Sequence, residues 1–91
     1  MDIDLMTGGK SWTEAATLAT ELDGAGFSGL LWTETSSVPW MQIAASAMAA
    51  PDMYFTTGIA VAFPRSPMVS AAIAWEMADN TNRRFRLGLG S

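Results

Sequence analysis

Thr56-Thr-Gly-Ile-Ala-Val-Ala-Phe-Pro-Arg-Ser-Pro67 decides the reading of this chain. Its first half is rich in β-branched residues, the composition of a strand. It then ends at Ser66-Pro67, an N-cap hydroxyl followed by the residue best suited to the first helical position. Beyond it, Met68 to Asp79 carries Val69, Ala72, Ile73 and Met77 at helical spacing. Arg84-Phe-Arg-Leu-Gly-Leu-Gly-Ser91 follows as a further strand-like run. Strand, helix and strand in that order, with a dozen helical residues between, predict a right-handed crossover within a parallel sheet.

The same unit recurs toward the N-terminus. Asp2 to Met6 alternates polar and apolar side chains as a half-buried strand does, and Thr7-Gly-Gly-Lys10 breaks it. Ser11-Trp-Thr-Glu14 has the spacing of a capping box, so the first helix starts at Ser11. Trp12, Ala15, Ala16, Ala19 and Leu22 then share one face, and Asp23-Gly-Ala-Gly26 supplies residues that tolerate a helix end. Leu30 to Thr35 is the second strand. Val38-Pro39 opens a second helix with Ile43, Ala44, Ala47 and Met48 on its apolar face, and Pro51 stops it. Met53 to Val61 is the third strand and Arg84 to Gly90 the fourth. The predicted order is β-α-β-α-β-α-β in a single α/β domain spanning 1–91, with no linker or low-complexity segment.

Composition narrows the chemistry. Apolar residues make up 49% of the 91 positions and charged residues 15%, below the usual quarter. A chain this short removes only about 60 to 65% of its unfolded surface on folding, so a partner subunit is one source of further stability. Five basic against nine acidic residues give a net charge of −4 with no basic run, which argues against nucleic acid and anionic membranes. No cysteine and no histidine are present, which removes disulfides, thiolate nucleophiles and the commonest metal ligand and acid/base group; no metal site is expected. No run approaches the roughly 20 apolar residues of a membrane span, and the acidic start MDIDLM is unlike a secretory leader, so a cytoplasmic location is expected.

TGIAVAFPRSP (57–67), the RFRLGLG run (84–90) and Gly26-Phe-Ser-Gly-Leu-Leu-Trp-Thr-Glu-Thr35 together resemble the luciferase-like monooxygenases, in particular their deazaflavin (coenzyme F-420) dependent branch. Those proteins are eightfold β/α barrels of about 250 residues. The resemblance therefore implies half of a TIM-type barrel, with its first four strands present. It implies a flavin or deazaflavin, coenzyme F-420 or FMN, as the family cofactor, although no bound cofactor is expected for this chain by itself. It nominates Gly58-Ile59 as a non-prolyl cis peptide behind the cofactor ring, and Gly88 and Gly90 as glycines that let backbone approach it. Family members often place a histidine just after the Thr-Glu of strand two, where this sequence has Thr35-Ser36-Ser37.

Glu34 is then the titratable group left at the end of strand two and the candidate catalytic residue, with a helix-capping or solvated carboxylate as the competing reading. Arg65, beside a helix N-terminus, is a cofactor-binding candidate for an anionic group, with pairing to Glu34 or a place in solvent as the competing readings. The four tryptophans and seven methionines read as core filling rather than as stacking surfaces.

Two functions follow from these residues. One is a relative of flavin- or deazaflavin-dependent oxidoreductases, inactive alone and assembled as a homo-oligomer. The other is a non-enzymatic structural or interaction module that associates with another half-barrel chain. A half barrel leaves its first and last strands as open edges, which a second copy related by a twofold axis would close into eight strands. With Phe85, Leu87 and Leu89 toward the helices, Arg84 and Arg86 face inward on one edge; with Ile3 and Leu5 toward the helices, Asp2 and Asp4 face inward on the other.

Overall fold

The computed structural model describes residues 2–34, 38–62 and 64–90. Its elements run β1 (Asp4–Thr7), α1 (Trp12–Gly24), β2 (Gly29–Trp32), α2 (Pro39–Ala49), β3 (Tyr54–Thr57), β4 (Ala60–Val61), α3 (Pro67–Asn80), β5 (Phe85–Arg86) and β6 (Leu89–Gly90). Strands β1-β2-β3-β5 form one parallel sheet in that spatial order, and β4 and β6 pair in parallel just beyond it. This is the expected β/α alternation, built as an arc of a barrel.

The register explains the layers. Leu5, Leu30, Phe55 and Phe85 stand side by side across the four strands, and Trp32 lies two residues on from Leu30. Leu30, Trp32 and Phe55 are fully buried, with Ala15, Ala19 and Ile43 of the helices above them and Leu5 and Phe85 packed at the margin. Side chains alternate along a strand, so the row holding Asp4, Gly29 and Tyr54 faces the opposite, concave side.

The caps form as the sequence predicts. The Ser11 hydroxyl accepts from the Glu14 N–H at 3.1 Å and the Glu14 carboxylate accepts from the Ser11 N–H at 3.0 Å. The bond from the Ser11 N–H, with the nearby Ser11 hydroxyl adding to it, holds the Glu14 carboxyl below its ordinary pKa. Ser11→Ala is expected to lower stability by about 1 kcal/mol, read as a fall in the urea midpoint at unchanged slope. Gly26, at φ +90°, occupies the left-handed region at the turn into β2. Ser66 caps α3, accepting from the Val69 N–H at 3.1 Å, with Pro67 in the first turn. α2 starts at Pro39 behind Val38, which offers no side-chain cap.

Several expectations are corrected. The third and fourth strands are each split, at Gly58-Ile59 and at Leu87-Gly88, because the chain bulges there and the ladder restarts one step on. The second strand ends at Trp32; Thr35, its expected end, lies outside the described residues.

α2 buries Gln42 and Ser46 beside Ile43 and leaves Ala44 and Met48 exposed. α1 and α2 meet through small residues, and the Ser46 hydroxyl donates to the Gln42 carbonyl at 2.7 Å within its own helix. Gln42 Nε2 donates to the Lys10 carbonyl at 2.8 Å, tying α2 to the loop after β1.

The buried line of α1 is Ala15 and Ala19, and Trp12, one turn earlier, is 63% exposed. In α3 only Ser70 is buried; Val69 and Ala72 are exposed and Trp75 is 77% exposed, since nothing described packs on that side of the helix. Trp12 and Trp75 are therefore not core, whereas Trp32 and Trp40 are. No helix among the described residues is long and apolar enough to cross a membrane.

Candidate site at the carboxyl ends of the strands

β2, β4 and β6 all point their carboxyl ends toward one rim, and every nominated site residue lies at or near it. Glu34 leaves β2 two residues past Trp32, and Arg65 sits between β4 and the start of α3. The two side chains meet in a two-pronged pair: Arg65 Nη2 donates to Glu34 Oε2 at 2.6 Å and Nη1 donates to Oε1 at 2.8 Å. Both side chains are only 14% exposed.

Two backbone bonds lock the pair to β4. The Val61 N–H donates to Glu34 Oε1 at 2.8 Å, and Arg65 Nη1 donates to the Val61 carbonyl at 2.8 Å. The guanidinium also lies 5.8 Å from the centroid of the Trp40 ring, within cation–π range. The Arg65 hydrogen bonds hold the Glu34 carboxyl below its ordinary pKa against the opposing effect of burial, with the Val61 N–H adding to them. Glu34 in turn raises the pKa of Arg65. The alternative in which Arg65 pairs with Glu34 is the one the chain adopts.

The Gly58-Ile59 peptide is cis, as the resemblance nominates. Gly58 fits because a β-carbon there would run into the Leu31 side chain. Ile59 projects over the neighbouring strand, where β-carbons on Gly90 and Gly88 would meet it, the first in collision and the second at 3.6 Å. A β-carbon on Gly88 would also collide with the Thr57 carbonyl. The two glycines thus make room for this chain's own backbone and for Ile59, which is 42% exposed and forms an apolar platform on the rim.

A residue the sequence reading missed holds this platform together. The buried Thr57 hydroxyl accepts from the Gly88 N–H at 2.8 Å and donates to the Gly88 carbonyl at 2.8 Å, standing in for the ladder where both strands are broken. The Ala60 N–H donates to the same carbonyl at 2.7 Å, and pairing resumes with Ala62 N–H to the Gly90 carbonyl at 2.8 Å. A threonine in a strand reads only as a β-former, so its signal was the glycine 31 residues later, visible once the strands are aligned. Thr35-Ser36-Ser37, which the sequence has where the resemblance leads to histidine, lies outside the described residues. Among the described residues no group of acidic side chains is arranged to hold a metal ion.

The luciferase-like monooxygenase family model matches residues 2–91. A protein of Mycobacterium bovis and proteins of two Mycobacterium tuberculosis strains are each 35% identical over 77 residues, which is 85% of this chain and 23% of theirs. In structure the chain is similar to the oxygenating constituent of 3,6-diketocamphane monooxygenase from Pseudomonas putida, a type II Baeyer-Villiger monooxygenase in complex with FMN. That match has a TM-score of 0.86 at 20% identity and covers 99% of this chain and 29% of the other. The chain spans about a quarter of the length of these relatives. The family model covers nearly every residue: the chain belongs to the luciferase-like monooxygenase family.

Proposed function

We propose that this chain forms part of the binding site of a flavin-type cofactor, FMN or the deazaflavin coenzyme F-420, in an oxidoreductase of its family. The observation that carries the reading is the platform of Ile59 on the bulge, an exposed apolar side chain over two glycines at the carboxyl ends of parallel strands, where barrels of this type bind their ligands. A planar ring system fits that platform. A phosphate group is served less well, because Arg65 is already committed to Glu34 and Lys10 is the other cation at this rim.

When bound, such a cofactor carries the two-electron redox chemistry. The chain's own residues contribute shape and position. Ile59, Gly58, Gly88 and Gly90 set the surface against which the ring rests. Glu34, nominated as catalytic, acts here as a positioning residue: ionised and two-pronged with Arg65, it holds the β2 and β4 rims together and has no proton to give near neutral pH. Without histidine and with this carboxylate committed, turnover by the 91-residue chain alone is expected to be negligible.

The test is titration of the purified chain with FMN and with oxidised coenzyme F-420, followed by cofactor fluorescence. Weak saturable binding is expected, lowered at least tenfold by Ile59→Asp, which places a carboxylate on the platform. No binding of either cofactor, or binding that Ile59→Asp leaves unchanged, would overturn the assignment. The second reading, a module without catalysis, is favoured by the locked Glu34–Arg65 pair, and absence of binding would leave it standing.

A further inference from the structure

We infer that Trp40 is a positioning residue of the rim: its indole holds the Arg65 guanidinium against Glu34, and through that pair keeps β4 and the Ile59 platform in place. Three segments converge on this one side chain. Trp40 is the second residue of α2 and only 3% exposed. The Arg65 guanidinium, on the way from β4 to α3, lies 5.8 Å from its ring centroid. The Phe85 ring of β5 packs on it as well, with 6.2 Å between centroids and a tilt of 49°.

Contact, and not bonding, holds the indole there, because its buried Nε1 has no hydrogen-bond partner among the described residues. A phenyl ring in its place would give up no such bond. Leucine would give up the aromatic face that attracts a cation.

Arg65 needs that face. Its bonds to both Glu34 oxygens and to the Val61 carbonyl leave from the edge of the guanidinium plane, so they do not hold the plane from above or below. Trp40 also lines a cleft of about 320 Å³ between α2 and α3, with Met41, Ala44, Ile73 and Met77, and Arg65 lies outside it. The ring thereby stands between the ion pair and the water of that cleft, and charge-assisted hydrogen bonds are stronger where water is kept out. Val61 is bonded to both members of the pair and follows Ile59 by two residues, so a displaced pair takes the platform with it.

The effect on binding rests on the cofactor reading above, whereas the contact with Arg65 does not, so each has its own measurement. The first is the titration midpoint of the Glu34 carboxyl in the full 91-residue chain, followed by its carbon resonance. Arg65 is the charged group that acts on Glu34, and α2 carries no charged side chain. Trp40→Leu should move the midpoint up toward the ordinary 4.5, because loosening the Arg65 bonds removes the largest cause of its depression. Trp40→Phe should leave it low. Should the leucine variant fail to fold, Trp40→Met, which fills space without a ring, takes its place.

The second measurement is titration with FMN and with oxidised coenzyme F-420. Trp40→Leu should weaken binding about fivefold, and Trp40→Phe should stay within about twofold of wild type. A Glu34 midpoint that is the same with leucine and with phenylalanine would overturn the assignment. A midpoint that rises while binding holds would overturn the link from Trp40 to the platform. If the wild-type chain binds neither cofactor, the cofactor reading falls, and the Glu34 midpoint alone decides whether Trp40 positions Arg65.

Discussion

Replacing Arg65 by leucine is expected to lower stability by about 3 kcal/mol at neutral pH, a large part of the margin of a domain this size. The pair it breaks is mostly shielded from water, so the loss is more than that of a surface ion pair. Without the guanidinium, Glu34 keeps only the Val61 N–H as partner for a carboxylate that is 14% exposed. Glu34→Gln should cost less, because a neutral amide is easier to bury than an orphaned charge. A chain carrying both Arg65→Leu and Glu34→Gln should lose less than the sum of the two single changes, a difference that a double-mutant cycle reads directly.

The pH dependence follows from the direction of the Glu34 shift. Its folded pKa lies below the ordinary 4.5, so the stabilisation is fully present above that value and is lost as pH falls through the lower folded value. The gap between wild type and Glu34→Gln should therefore be constant from neutral pH down to about 5 and close only in stronger acid. A gap that stayed constant into strong acid would show that the ionised carboxylate is not what stabilises this rim.

What the sequence made legible is local, and what it hid is long-range. Ser11 with Glu14 and Ser66 with Pro67 announce their helix starts because the bonding partners lie within three residues, and both caps form. The β/α alternation is legible for the same reason. The Glu34–Arg65 pair joins residues 31 apart through two loops, so the sequence supplied the two charges but not a reason to prefer pairing over solvation. The break in the third strand was legible only through the family resemblance at Gly58-Ile59, and the one in the fourth was not legible, because Ala60, Val61 and Leu89 keep strand composition on the far side of each bulge. Gln42 and Ser46 were left off the predicted inward face of α2 because polarity argues for exposure, while α1 and α2 need small or bonded side chains where they cross. Trp12 and Trp75 fail in the opposite sense: bulk argues for burial, and no described element reaches them.

Thr57→Val is the counterpart test at the site's foundation. The substitution keeps the shape of the side chain and removes one hydroxyl that both accepts from and donates to Gly88. The Gly88 carbonyl still receives the Ala60 N–H at 2.7 Å, but the Gly88 N–H is left beside a methyl group in a buried place. Two lost hydrogen bonds and one orphaned donor together cost about 2 to 3 kcal/mol. Thr57→Ser, which retains the hydroxyl and drops only the methyl, should cost about 1 kcal/mol. The comparison of valine with serine separates bonding from packing. If valine were tolerated as well as serine, the two broken strands would be held by the β4–β6 ladder alone, and the Ile59 platform would not depend on Thr57. If valine is the worse of the two, amide exchange should quicken first at Gly88 and then along β6, because that segment is tied to the main sheet through this one hydroxyl and the short ladder beyond it.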